Sequence, residues 1–437
     1  MIQQIAFIII LGTAIYFIRK RILFIRRTVN LGKDKFLNDR PGERLKKMLL
    51  VAFGQRKMFK RPLPAILHFF IYAGFLIINL EVLEFVIDGL AGTHRIFAPF
   101  LGAFYNVLMN FFEFLAVAVL LACVIMLMRR NVLKIKRFWS SEMTSWPRLD
   151  ANIILITEIV LMVAILTMNA SDQLLQARSV EHYSPTGPLL FSGVLTPALQ
   201  HAGTSTLILL ERAAWWFHIV GILGFAVYIT FSKHLHIFLA FPNTYFANLE
   251  PKGHMENMPV VTNEVKMMLG LGEATASPPA TPGRFGAKDI NDLAWNNLLA
   301  AYSCTECGRC TSECPANLTG KKLSPRKIMM DTRDRMEEVG ASLEKNGKGL
   351  NDGKTLLGDY ISKEEINACT SCNACVEACP VMINPLEIIL ELRRYVAMEE
   401  SGSPSSWNSM FQNIETSFAP WKFSPADRFN WANEIKK

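Results

Sequence analysis

Two copies of one cysteine spacing govern the second half of this chain. The first reads Cys304-x2-Cys307-x2-Cys310-x3-Cys314-Pro315 and the second Cys369-x2-Cys372-x2-Cys375-x3-Cys379-Pro380. Three thiolates at this step can wrap three iron corners of a [4Fe–4S] cubane, and the fourth, starting a helix after the loop, reaches the other cubane. The spacing therefore assigns Cys304, Cys307, Cys310 and Cys379 to one cluster, and Cys369, Cys372, Cys375 and Cys314 to the other. Zinc commonly takes two separated Cys-x2-Cys pairs. It explains neither the third cysteine at the same step nor the Cys-Pro that follows, and both occur twice. A metal pattern rather than a disulfide pattern also argues for a reducing compartment. The ninth cysteine, Cys123, falls within an apolar helical pattern.

The first half is of another kind. Hydrophobic residues make up 51% of the 437, and they concentrate before about residue 240. Five apolar spans are readable, at 2–18, 63–87, 98–128, 150–169 and 207–231, most near the ~20 residues that cross a bilayer. Basic residues cluster at 19–62 (Arg26, Arg27, Lys33, Lys35, Arg44, Lys46, Lys47, Arg56, Lys57, Lys60, Arg61) and at 129–137 (Arg129, Arg130, Lys134, Lys136, Arg137). The loops at 88–97 and 170–206 are poor in them. By the positive-inside bias the basic loops are cytoplasmic, and the first span is a retained anchor rather than a signal peptide. The N-terminus is then outside and everything after 240 cytoplasmic. The net charge of +8 is read as this topology signal and not as a nucleic-acid surface.

The expected fold is all-α: a five-helix transmembrane bundle followed by a cytoplasmic helical ferredoxin domain, in the inner membrane. Its boundaries are 1–240 for the membrane domain, 241–288 for a linker, 289–400 for the two-cluster domain and 401–437 for a tail. Ser277-Pro278-Pro279-Ala280-Thr281-Pro282-Gly283 marks the linker. An amphipathic helix is expected over 289–302, with Leu293, Leu298 and Leu299 as its stripe. Helices are expected from Pro325 to Glu338 and from Lys363 to Ala368. The tail, polar with Trp407, Phe411, Trp421, Phe423 and Trp431, is expected to lie against the domain or a partner.

Histidines in apolar spans are functional candidates. On a continuous helix His218 and His236 share one face, about 27 Å apart along the axis, whereas His234 falls off it. His68 lies one turn into the second span, at the same depth as His236, so these two can hold a haem iron axially. His218 lies near the other membrane face without an obvious partner; Phe85, Val86 and Ile87 are at its depth, and His94, His182 and His201 are in the outer loops. Glu113 and Glu158 sit within apolar spans, as proton-path or as packing residues. Trp215 and Trp216 are read as an interfacial anchor.

These residues carry a family resemblance. Phe231-Ser232-Lys233-His234-Leu235-His236-Ile237 is similar to the cytoplasmic haem-ligand segment of the cytochrome b subunit of respiratory nitrate reductase and its relatives in heterodisulfide-reductase-type complexes. The resemblance implies His236 and His68 as ligands of one b-type haem and His218 as a ligand of a second. That subunit has another histidine in the second span where this chain has Ile78, which leaves the second haem open. Phe285-Gly286-Ala287, with the two cysteine loops, resembles membrane iron–sulfur oxidoreductases serving electron-transfer flavoprotein or heterodisulfide-reductase-like proteins. Many relatives continue into a domain with Cys-Cys-Gly motifs. No cysteine follows Cys379, so the resemblance implies that such a part is on another polypeptide.

The functional expectation is an oxidoreductase subunit that passes electrons between a cytoplasmic partner and the quinone pool, menaquinone by resemblance, through two [4Fe–4S] clusters and one or two b-type haems. The implied partner is electron-transfer flavoprotein or a Cys-Cys-Gly subunit. The runner-up is the membrane subunit of a heterodisulfide-reductase-like or organic-acid dehydrogenase complex. A transporter would call for broken spans or an internal repeat, and a soluble-substrate enzyme for a nucleotide loop or nucleophile set; the sequence offers neither.

Overall fold

The computed structural model describes residues 1–271, 284–347 and 352–435; the expected linker motif Ser277–Gly283 lies outside them. Among the described residues there is no strand, and the isolated bridges Lys33–Ala294 and Leu357–Ile361 are the extended pairings. The helices include α1 (Ile2–Val29), α2 (Pro41–Met48), α3 (Pro62–Ala91), α4 (Ala103–Asn131), α5 (Trp146–Ala177) and α6 (Thr204–Ile229). After a short turn come α7 (His236–Tyr245), α8 (Trp295–Tyr302), α9 (Pro325–Asn346), α10 (Pro385–Met398) and α11 (Ser405–Ser417).

Four helices, α3, α4, α5 and α6, are long and apolar enough to cross a membrane. α3 and α5 run beyond their expected spans, and α6 begins three residues earlier than expected but ends at Ile229, two residues short. In α4 the chain turns at Ala98–Leu101 and restarts after Gly102, which has φ +53. The four pack in sequence order, α3 on α4, α4 on α5, α5 on α6, and α1 lies along α3 and α6. Their shared core includes Phe85, Leu115, Val119, Cys123, Leu161, Ile165, Trp215 and Ile219. Trp215 is therefore no interfacial anchor: its ring packs on Phe7 at 6.0 Å and Phe85 at 6.4 Å, joining α1 to the bundle.

Beyond the bundle α1 continues into the cysteine-rich region. Gly340 of α9 lies against Phe24 and Thr28 of α1, with no room for a Cβ, and Tyr302 Oη meets Thr28 Oγ1 at 3.0 Å. Lys33 donates to Leu293 O at 2.7 Å, and Trp295 N returns a bond to Lys33 O at 3.1 Å. The helix expected from Asp289 begins only at Trp295, because the Asp289 and Asp292 side chains cap a separate turn at 290–292. Leu293, Leu298 and Leu299 are buried as expected. The tail helix α11 has no buried residue, and Trp407, Phe411, Trp421, Phe423 and Trp431 are exposed.

Candidate redox site

The two cysteine loops fold alike. In each, the second residue after the first cysteine is left-handed (Glu306 and Ser371, both φ 54), and so is the residue after the second cysteine (Gly308 φ 70, Asn373 φ 60). Such turns aim successive backbone N–H groups into a concavity suited to an anionic cluster. Ser371 N donates to Cys369 Sγ at 3.4 Å and Ile383 N to Cys379 Sγ at 3.3 Å. A proline then starts a helix beneath each site, Pro325 after the Ser324 cap and Pro385 after the Asn384 cap.

The fourth cysteine of each loop crosses over. Cys304, Cys307, Cys310 and Cys379 line one cavity of about 380 Å³, floored by Met329 and Pro385. Cys314, Cys369, Cys372 and Cys375 line another of about 310 Å³, floored by Pro325 and Ile389. Among the described residues no three His, Cys, Asp or Glu side chains gather tightly enough for a single metal ion; the thiols ring open space instead. Burial pushes Cys304 up to about 12 and Cys379 up to about 11. These thiols would ionise only with cations bound among them, and the donor set fits iron–sulfur cubanes.

The surroundings of the two cavities differ. The first faces the membrane helices. Arg309 lies beside Cys307 and donates to Lys57 O at 3.4 Å. Lys57 Nζ reaches Val376 O at 3.3 Å. Arg326, fully buried, holds Arg137 O at 2.6 Å and Glu142 at 2.7 Å. Arg61 pairs with Glu313 at 2.6 Å, and Lys60 pairs with Glu377. Basic residues expected to mark topology thus bind carboxylates and carbonyls of the cysteine-rich region. The second cavity is on the open side: Cys372 is exposed.

Near the first cavity the structure brings His68 and His236 together, ring centroids 6.3 Å apart and planes at 44°. An imidazole nitrogen sits ~2 Å from a metal that it binds, so two rings on opposite sides of one ion have centroids ~6 Å apart. His236 Nδ1 lies 3.1 Å from Lys233 O. A carbonyl only accepts, so Nδ1 carries the proton and Nε2 keeps its lone pair. The route to this pair differs from the expected one. α6 stops at Ile229, and a turn at Lys233–Leu235 precedes α7, so His218 and His236 share no continuous helix. The turn also brings His234 to 5.6 Å from His236.

His218 is buried in the bundle. Its Nδ1 lies 3.0 Å from Leu161 O, leaving Nε2 free, and its ring neighbour is Phe85 at 5.7 Å. It lines the widest of these cavities, about 560 Å³, with Gly74, Ile78, Asn79 and Glu158. His94 is elsewhere, beside His182 and Tyr183, and His201 meets Gln200. Glu113 is a packing residue: it accepts from Asn169 at 3.0 Å and from Phe191 N and Ser192 N, both at 3.1 Å.

Residues that the sequence reading passed over tie the sites together. Asp150 accepts from Ser232 Oγ at 2.6 Å and from Lys233 N at 3.1 Å, which anchors the His236 turn to the start of α5. Glu306, 2% exposed, pairs with Lys233 and with Arg333 at 2.7 Å. Burial opposes its ionisation, but the Arg333 and Lys233 charges hold it below the ordinary carboxylate range. The signal was an acidic residue inside a cysteine loop, where a bare carboxylate beside an anionic cluster needs cations. A second missed group closes the far end of the bundle. Arg95, 6% exposed, bridges Asp172 at 2.9 Å and Asn169 at 2.7 Å, and Tyr105 Oη donates to Glu84 at 2.7 Å.

Residues 303–383 match the 4Fe-4S dicluster domain family. Along most of its length the chain is similar to "Probable iron-sulfur-binding oxidoreductase FadF" of Bacillus subtilis, at 28% identity over 96% of this chain and 59% of that protein. It is also similar to "EtfAB:quinone oxidoreductase" of Syntrophomonas wolfei, at 26% identity over 91% of this chain and 55% of that one. A "Probable membrane-anchored ferredoxin" of Chromohalobacter salexigens is 32% identical over 34% of this chain and 24% of its own length. No solved structure matches. The homologues are iron–sulfur oxidoreductases, and the chain spans little more than half the length of the first two.

Proposed function

We propose that this chain is the membrane-bound electron-transfer part of an oxidoreductase that links a cytoplasmic redox partner to the quinone pool. Two [4Fe–4S] clusters are held by Cys304, Cys307, Cys310 with Cys379, and by Cys369, Cys372, Cys375 with Cys314. A b-type haem is held by His68 and His236. α1 is the fifth span: its apolar side chains Ile5, Ile8, Ile9, Ile15 and Phe17 face outward along its length, as lipid-facing residues do. The domain limits stay at 240, 288 and 400, and the cysteine-rich region is cytoplasmic. His218 is the candidate ligand of a second haem in the 560 Å³ cavity; Ile78 there offers no second ligand.

What supports this reading most is the order of the sites: an exposed cysteine cavity, a buried one at the membrane helices, and a histidine pair next to it. Bound clusters and haem supply one-electron chemistry. The chain's own residues set positions and potentials, shield the first cluster from water through Arg326 and Glu142, and fix the His236 ring. The partner on the open side is electron-transfer flavoprotein by likeness to the Syntrophomonas protein, or a heterodisulfide-reductase-like subunit. The quinone is menaquinone by family resemblance.

The test is anaerobic purification. About eight irons per chain are expected in clusters, with a b-type α-band on reduction. Cys372→Ser should stop electron flow from the partner while haem reduction by a quinol analogue continues. Stoichiometric zinc without a cluster signal would overturn the reading.

A further inference from the structure

Glu306 and Ser371 hold the same place in the two cysteine loops and share one backbone conformation. One is charged and the other is not. Ser371 Oγ meets Arg393 at 3.4 Å, a neutral group beside the open cavity. Glu306 is buried between Cys304 and Cys307, with Arg333 on one carboxylate oxygen and Lys233 on the other.

Lys233 belongs to both sites. Its ammonium binds Glu306 and Pro147 O, the latter at 2.5 Å, and its side chain is 8% exposed. Its backbone N is fixed by Asp150, and its carbonyl accepts the hydrogen bond of His236 Nδ1–H. The cation that neutralises the cluster loop is thus on the residue that orients the haem-ligand ring. Inside protein, charges act on each other far more strongly than in water. An added cation beside a cluster favours its reduced form, and an added anion opposes it.

We propose that the Lys233–Glu306 ion pair couples the two redox sites: it sets the potential of the Cys304–Cys379 cluster and holds the His236 turn in register with that cluster. The proposal rests on the cluster and haem reading above. The electron concerned leaves the reduced first cluster and reduces ferric haem to ferrous, with no bond made or broken. Lys233 and Glu306 are positioning residues and touch neither electron carrier as ligands.

The trio of Lys233, Glu306 and Arg333 carries one net positive charge. K233M removes it, E306Q adds one more, and the double variant restores the original value. Full-length protein, purified anaerobically, is titrated with the clusters followed by electron paramagnetic resonance and the haem by absorbance; C372S identifies the second cluster's signal. K233M should lower the first cluster's potential by about a tenfold change in its oxidised-to-reduced ratio, ~59 mV for a one-electron couple. E306Q should raise it by a similar amount, and the double variant should return it to wild type. The second cluster should move by less than a third as much, and K233R should behave as wild type. K233M should also slow haem reduction from the clusters about tenfold while leaving the α-band in place. A structural role alone would shift K233M and E306Q in the same direction. That outcome, no shift at all, or equal shifts in both clusters overturns the proposal. Absence of any cluster signal in the wild type overturns the underlying reading instead, and is seen before any substitution is made.

Discussion

The two cysteine loops share spacing, backbone turn and helix start, yet of the two cavities they build, one lies under the basic loops and the other opens to solvent. The difference is supplied by residues that are not ligands. Around the first cavity stand Arg309, Arg326, Lys57 and the Lys233–Glu306–Arg333 group. Around the second stand Thr370, Asn373 and Arg393. A repeated motif therefore fixes what is bound, while its neighbours decide what each copy is for. One cavity is open to a partner from outside, and the other lies against the helical bundle.

The comparison breaks first at the cysteines. Cys310→Ser and Cys372→Ser should each cost one cluster, read as a fall of about four irons per chain. Since Cys310 belongs to the cavity against the membrane helices, its loss should also destabilise the region's docking, whereas Cys372→Ser should leave docking intact. Limited proteolysis between residues 284 and 300 checks this.

Next in size is the buried pair Arg326–Glu142, at 2.7 Å with 0% and 8% exposure. Glu142→Gln should destabilise by about 3 kcal/mol, as for breaking a buried pair from one side, measured by denaturant unfolding in detergent. The Glu142 carboxyl is held below its ordinary value of 4.5: burial works against ionisation, but the Ser324 hydroxyl and the Arg326 guanidinium outweigh it. A depressed carboxylate contributes stability above its unfolded pKa and loses it as pH falls through the folded value. Wild-type stability should therefore drop below about pH 4.5, and Glu142→Gln should flatten that drop.

A smaller effect separates the two left-handed positions. A Cβ at Gly308 would lie 2.5 Å from Arg326 Nη1, at φ +70. Gly308→Ala should cost about 1–2 kcal/mol for the backbone and displace Arg326. Asn373→Gly should change stability by less than about 1 kcal/mol. The smallest effect belongs to the exposed Lys322–Glu364 pair, where Lys322→Ala should leave the unfolding curve unchanged, as is usual for surface pairs.

The two cysteine-lined cavities were legible because their cysteines recur within eleven residues of sequence and the crossover of the fourth cysteine follows from the motif. The long helices were legible from apolar length, with ends that differ from the expected spans by up to eleven residues. The His236 turn was not. A depth argument paired His68 with His236, and a helix-face argument preferred His236 to His234; the structure brings the His68 and His236 rings together, but through a break after Ile229 fixed by Asp150, a long-range bond that no local pattern announces. Trp215 and Glu113 were misjudged or left open for the same reason: what they touch, Phe7 on α1 and the loop at Phe191–Ser192, is distant in sequence. The basic loops carried a second meaning that charge counting could not reveal, since their partners Glu313, Glu377 and Glu387 lie in the cysteine-rich region.

The central claim, that the buried cluster faces a haem held by His68 and His236, is tested most directly by reduced-minus-oxidised absorbance spectra of membranes carrying single histidine variants. His68→Ala and His236→Ala should remove the same b-type α-band. His234→Ala should keep it, and His218→Ala should leave that band while removing any second one. A wild type without a b-type band, or a band lost in His234→Ala and kept in His236→Ala, would contradict the account.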